Sequence, residues 1–94
     1  MPKANYRIVL RGIFMKSSGL IEYDESDVLY TQLSFFRGFL KRHPMDKLTA
    51  LRLFEENEVF DFLSDCYESI QLTSDETTLD DIDTILRVHG VTIE

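Results

Sequence analysis

The sequence predicts an α+β fold: an N-terminal β-hairpin packed against three or four helices, with a short C-terminal strand available to the same sheet. Three observations carry this. Residues 6–15 are rich in β-branched and aromatic types and alternate in polarity. From Asp27 onward, apolar residues recur at helical spacing. Val91-Thr92-Ile93, after Gly90, is short and β-prone. With 94 residues there is room for one small domain, spanning 1–94.

In the hairpin, Tyr6, Ile8, Leu10 and Phe14 fall on one face and Arg7 and Arg11 on the other. Gly12 marks a place for a bulge, and Val9, Ile13 and Met15 add apolar weight to the arginine face. Lys16-Ser17-Ser18-Gly19 is a turn signal, and Leu20-Ile21-Glu22-Tyr23 returns as the second strand.

The first helix is expected from about Asp27 to Arg42, entered through the acidic Asp24-Glu25-Ser26-Asp27 and stopped by Pro44. Leu29, Leu33, Phe36 and Leu40 form its tightest apolar stripe, widened by Val28, Phe35 and Phe39. Pro44 suits the first position of the next helix, whose apolar face is Leu48, Leu51 and Phe54. An unbroken helix to Ile70 would turn Glu55 and Glu58 into that face. A break is therefore expected near Glu55-Glu56-Asn57, with Asn57 capping a helix from Glu58 to Ile70. Val59, Phe62, Leu63, Cys66 and Ile70 line its inner side. Without the break, Leu53, Phe60 and Tyr67 form a heptad-spaced stripe, a candidate interface; packing against the hairpin is the plainer reading.

Gln71 to Thr77 reads as a polar loop. Thr78, with Asp81 three residues later, has the capping pattern for a helix from Leu79 to His89, stopped by Gly90. The element order is β-β-α-α-α-α-β, or one helix fewer if the middle segments fuse.

Charge is the most informative feature beyond the fold. The formal net charge is −7. Residues 1–52 hold nine Lys/Arg against five Asp/Glu, and residues 53–94 hold one against twelve. Such asymmetry concerns partners and association rates, not fold. An acidic half of this kind is either a solvated face that maintains solubility or a docking face for a basic surface.

Several function classes are disfavoured. No apolar run is long enough to span a bilayer, so no membrane role is expected. Met1-Pro2-Lys3-Ala4-Asn5 lacks the apolar segment of a secretory signal, and the single cysteine, Cys66, cannot form an internal disulfide; both favour the cytoplasm. His43, His89 and Cys66 have no zinc-ligand spacing. Asp80, Asp81 and Asp83 lack the calcium-loop pattern and read as a solvated first turn. The four glycines are isolated, so no phosphate loop is present. Cys66 on an inner face reads as an inert core thiol, and His89 near a helix end as a dipole partner. No catalytic residue, metal or cofactor is expected, and the protein reads as a non-enzyme.

The expected function is binding another protein as an inhibitor or regulator. The residues assigned to it are Glu55, Glu56, Glu58, Asp61, Asp65 and Glu68, with Phe60 and Tyr67 as aromatic anchors. The expected partner is a protein with a basic surface, to which the acids stand in for a nucleic-acid backbone. Self-association is open to the surplus apolar residues. The alternative is a ligand- or nucleic-acid-binding module on Arg7, Arg11, Arg37 and Lys41, which the net charge opposes. In composition alone (small, acidic and poor in motifs) the chain resembles phage-encoded inhibitors and toxin-immunity proteins, and the resemblance implies the same inhibitory role.

Overall fold

The computed structural model describes residues 23–93, and every element in that span is a helix. They are α1 (Glu25–Arg42), α2 (Lys47–Glu56), α3 (Val59–Asp65), α4 (Tyr67–Gln71) and α5 (Asp75–Val88). The α+β expectation is thereby corrected: the described residues contain no strand and no sheet. The hairpin expected over residues 6–23 lies, apart from Tyr23, outside the described residues.

The C-terminal strand is replaced by a helix-ending turn. Gly90 takes φ +87°, a conformation that side chains with a Cβ disfavour. Its N–H donates to the carbonyl of Arg87 at 2.9 Å, and that of Val91 to the carbonyl of Leu86 at 2.8 Å. These two bonds satisfy carbonyls that the end of α5 would leave bare. They also direct the tail back onto the body, where Val91 and Ile93 pack against the core. Gly90 stops the helix as its sequence implies, but the tail beyond it covers the core with two apolar side chains instead of joining a sheet.

Helix starts follow side-chain caps. Asp24 accepts the backbone N–H groups of Ser26 and Asp27, both at 3.1 Å, while Asp27 accepts that of Asp24. This reciprocal box starts α1 two residues before the expected Asp27. Pro44 does not open α2. Asp46 does, accepting from Leu48 at 3.0 Å and Thr49 at 3.2 Å. Likewise Ser74, accepting from Thr77 at 3.2 Å, starts α5 ahead of Thr78. Thr78 is left inside the helix and fully buried.

The break near Glu55–Asn57 is present, with Asn57 in a different role. It closes α2 instead of opening α3: its Nδ2 donates to the carbonyl of Leu53 at 2.8 Å. Glu58 then turns the chain in the left-handed region, φ 61°. The expected helix from Glu58 to Ile70 is in fact two, separated at Cys66. Leu53, Phe60 and Tyr67 are therefore not one continuous stripe.

The core is aromatic and aliphatic. Phe39, Phe54, Val59, Phe62, Leu63, Ile82, Ile85 and Leu86 are fully buried. Helix α1 packs against α2, α3 and α5, so it is the central element. Its buried side is Thr31, Phe35 and Phe39, rotated from the expected leucine stripe. Phe36 and Leu40 are half-buried, while Leu29 and Leu33 are exposed. The rings decide this rotation, because each phenylalanine removes more apolar surface from water than a leucine. Phe39 meets Phe54 edge-on at 5.1 Å between centroids, and Phe36 meets Phe54 at 5.3 Å. In α2 the buried residues are Ala50 and Phe54, with Leu48 and Leu51 outward.

Candidate functional site

The acidic residues assigned to partner binding gather at the corner formed by the end of α2, the turn at Asn57 and Glu58, and α3. Glu55 and Glu56 are exposed in the last turn of α2. Asp61 and Asp65 are exposed on α3, one turn apart, opposite the buried Val59, Phe62 and Leu63. Glu55, Glu56 and Asp61 make no ion pair among the described residues. Glu58 is half-buried, and Glu68 is buried at 8% exposure. The corner thus presents four carboxylates of the six.

The two aromatic residues assigned as anchors sit differently. Phe60 is half-buried, 5.2 Å from Phe54 and 6.3 Å from Phe36 between centroids. Its carbonyl accepts from Gln32 Nε2 at 3.0 Å, which ties α3 to α1. Tyr67 is buried, with its ring 4.3 Å from that of Tyr23. The exposed large apolar residues are instead Leu29, Tyr30 and Leu33 on α1, Leu48 and Leu51 on α2, and Leu72 and Val88 further on, together with Tyr23.

Of the alternative basic set, Arg37 and Lys41 are exposed on α1, and Arg7 and Arg11 lie outside the described residues.

A second polar cluster was not evident in the sequence as one unit. At the end of α1, Arg42 Nη1 donates to Asp80 Oδ1 at 2.7 Å and to Asp83 Oδ2 at 3.2 Å. His43 Nε2 lies 3.0 and 3.1 Å from the two oxygens of Asp83. An ionised carboxylate only accepts, so Nε2 carries the hydrogen. Both His43 and Asp83 are buried, and the imidazole lies 5.0 Å from the ring of Phe39. The hydrogen bond to Asp80, and after it the one to Asp83, holds the Arg42 guanidinium above its ordinary value. This clasp joins α1 to α5. The expectation that Asp80, Asp81 and Asp83 are a solvated first turn is corrected: α5 begins at Asp75, so none of the three lies in its first turn, and Asp80, though exposed, is held by Arg42. The signal lay in helical phase: Asp83 falls beside Leu79 at the margin of the Ile82–Leu86 face.

At the other end of α5, His89 Nδ1 lies 2.9 Å from Asn57 Oδ1. Because Asn57 Nδ2 donates to Leu53, its oxygen is the acceptor and His89 the donor. His89 braces the turn after α2.

A half-open cleft of about 290 Å³ lies between α1 and the α4–α5 connection. Tyr30, Ser34, Gln71, Thr73 and Asp75 supply its polar atoms, and Gln71 Nε2 donates to Thr31 Oγ1 at 3.4 Å. Among the described residues, no three His, Cys, Asp or Glu side chains are grouped to hold a metal ion. Nor is any described helix long and apolar enough to cross a membrane. Cys66, at 3% exposure, is buried at the α3–α4 junction.

No curated protein and no solved structure matches the chain. The model of a family described as "Protein of unknown function (DUF3791)" matches residues 38–89, from the last five residues of α1 to the residue after α5. That segment is more than half of the 94 residues and includes both sides of the Arg42–His43–Asp80–Asp83 clasp. The chain belongs to the DUF3791 family.

Proposed function

We propose that this protein is a non-catalytic binding protein that docks its α2–α3 corner on a basic surface of another protein and so inhibits or regulates it. One observation supports the reading above others: Glu55, Glu56 and Asp61 project into solvent without an ion-pair partner among the described residues. Elsewhere the fold does use its acids internally, as Asp80 and Asp83 are used by Arg42. Carboxylates gathered on one corner raise the local negative potential and steer a basic partner toward it. Occlusion of a nucleic-acid site by phosphate-like carboxylates, in the manner of phage anti-defence or toxin-immunity proteins, is the mechanism this reading implies. The cytoplasm is the compartment it implies, in keeping with a single, buried thiol.

The test is a variant carrying Glu56→Lys, Asp61→Lys and Asp65→Lys. All three sites are exposed, and Asp65 also makes an interaction within the fold, so the circular dichroism and melting of the variant are first compared with those of the parent. A partner captured with the parent protein is then measured against both forms across a salt series. The expected result is association slowed about tenfold or more at low salt, with a flattened salt dependence. A partner that binds both forms at the same rate, with the same salt slope, refutes the acidic-corner reading.

A further inference from the structure

Glu25, Leu29, Leu33, Arg37 and Lys41 are spaced four apart along α1, and all five are exposed. That spacing makes them one ridge, which turns about 40° round the helix at each step. Leu29 and Leu33 leave 55% and 48% of their surface in solvent, and Tyr30 beside them leaves 74%. A single exposed leucine is ordinary. Here two lie one turn apart, flanked by a tyrosine on one side and by the half-buried Phe36 and Leu40 on the other, so the apolar surface is continuous.

The charges at the ends of this ridge are opposite. Glu25 precedes the leucines, and Arg37 and Lys41 come after them. None of the three makes an ion pair among the described residues. An order of acid, leucine, leucine, base is self-complementary under a twofold axis. With the axis midway between Leu29 and Leu33, Leu29 of each copy meets Leu33 of the other, and Glu25 of each meets Arg37 of the other. A parallel pairing would bring like charges together.

We infer that the α1 ridge is a self-association surface that takes a second copy of this chain in an antiparallel α1–α1 contact. Leu29 and Leu33 form its centre and two Glu25–Arg37 pairs its rim. The contact involves residues other than the acidic corner and stands independently of the function proposed above. Ridges of this spacing interlock at a crossing angle of about −50°, which confines close packing to the two leucines of each copy and leaves only the long Glu25 and Arg37 side chains to reach across at the rims. An interface this small is weak, and a dissociation constant on the order of 10–100 µM is expected.

Analytical ultracentrifugation of the full chain, from about 10 µM to about 1 mM, brackets that constant and reads the equilibrium directly. The parent protein should shift from monomer to dimer across that range. Leu33→Lys should weaken the dimer by about tenfold or more, with melting unchanged because the site is exposed. Glu25→Arg and Arg37→Glu should each weaken self-association severalfold, since each places like charges at both rims. Mixed in equal amounts, those two variants should dimerise with each other at least as well as the parent does with itself, because both rim pairs are then complementary. The Glu56/Asp61/Asp65 reversal should leave the equilibrium unchanged. A parent protein that stays monomeric at the top of the range overturns the inference. So does a dimer indifferent to Leu33→Lys, or a mixture no stronger than either variant alone.

Discussion

His43 Nε2 sits within hydrogen-bond distance of both oxygens of Asp83, 40 residues further along the chain, and neither group reaches bulk water freely. With Arg42 on the same carboxylate, Asp83 is the point at which α1 holds α5. Removing it leaves a buried imidazole donor and a partly buried guanidinium without their common acceptor. Asp83→Ala should therefore destabilise the protein by about 2–4 kcal/mol. Asp80→Ala should cost less than about 1 kcal/mol, because Asp80 is exposed. Urea denaturation of the two variants checks the ratio; equal losses would show that burial of Asp83 adds nothing.

Thr78 Oγ1 is buried and has no hydrogen-bond partner among the described residues. A hydroxyl in that position loses its water and gains nothing in exchange. Thr78→Val keeps the branched shape and removes the orphan, and it should raise stability by about 1–2 kcal/mol. Thr78→Ser keeps the hydroxyl and loses a methyl, and it should lower stability by about 1 kcal/mol. Thermal melts of the pair give the sign of each change. Destabilisation by the valine variant would mean that the hydroxyl is satisfied in solution.

Asp24 is the acid-sensitive cap. The Ser26 hydroxyl, and after it the Asp27 backbone N–H, hold its carboxyl below the usual aspartate range. A depressed value in the folded state means that the charged form is favoured by folding. The contribution is fully present above the unfolded-state value and is lost as pH falls through the folded one. Asp24→Asn keeps a good cap without that titration. Denaturation midpoints of the two proteins, compared at neutral pH and in acid, should therefore converge as pH falls, with the parent losing more. Parallel losses would remove Asp24 from the acid response.

Much of the helical organisation was legible in the sequence, and the misses share a cause. The end of α1 at Arg42, the interruption at Glu55–Asn57, the inward Cys66 and the stop at Gly90 each rest on one strong local signal. The misses arise where two local signals compete. Ser74 and Thr78 are both able to cap, and the one whose successors complete an inward face prevailed. Asn57 suits either end of a helix, and its bond to Leu53 made it a terminator. Along α1, the Leu29-Leu33-Phe36-Leu40 stripe and the Thr31-Phe35-Phe39 stripe are nearly equal by period, and the packing of Phe39 on Phe54 accompanies burial of the second. Val91-Thr92-Ile93 has strand composition, but an apolar tail after a left-handed glycine finds burial sooner by folding back. The acidic corner was legible as charge. Its exposed members could not be told from Glu68 without knowing where α3 ends.

The separation in sequence between the two sides of the clasp has a kinetic consequence. Each helix can begin from its own residues, on a timescale of about microseconds. The Arg42–Asp80 and His43–Asp83 bonds form only after a loop of 38 to 40 residues has closed. We expect them to be late contacts, made after the folding barrier is crossed. Loosening Asp83 should speed unfolding and leave the folding rate nearly unchanged. On that expectation the clasp sets how long the native molecule persists more than how quickly it is reached.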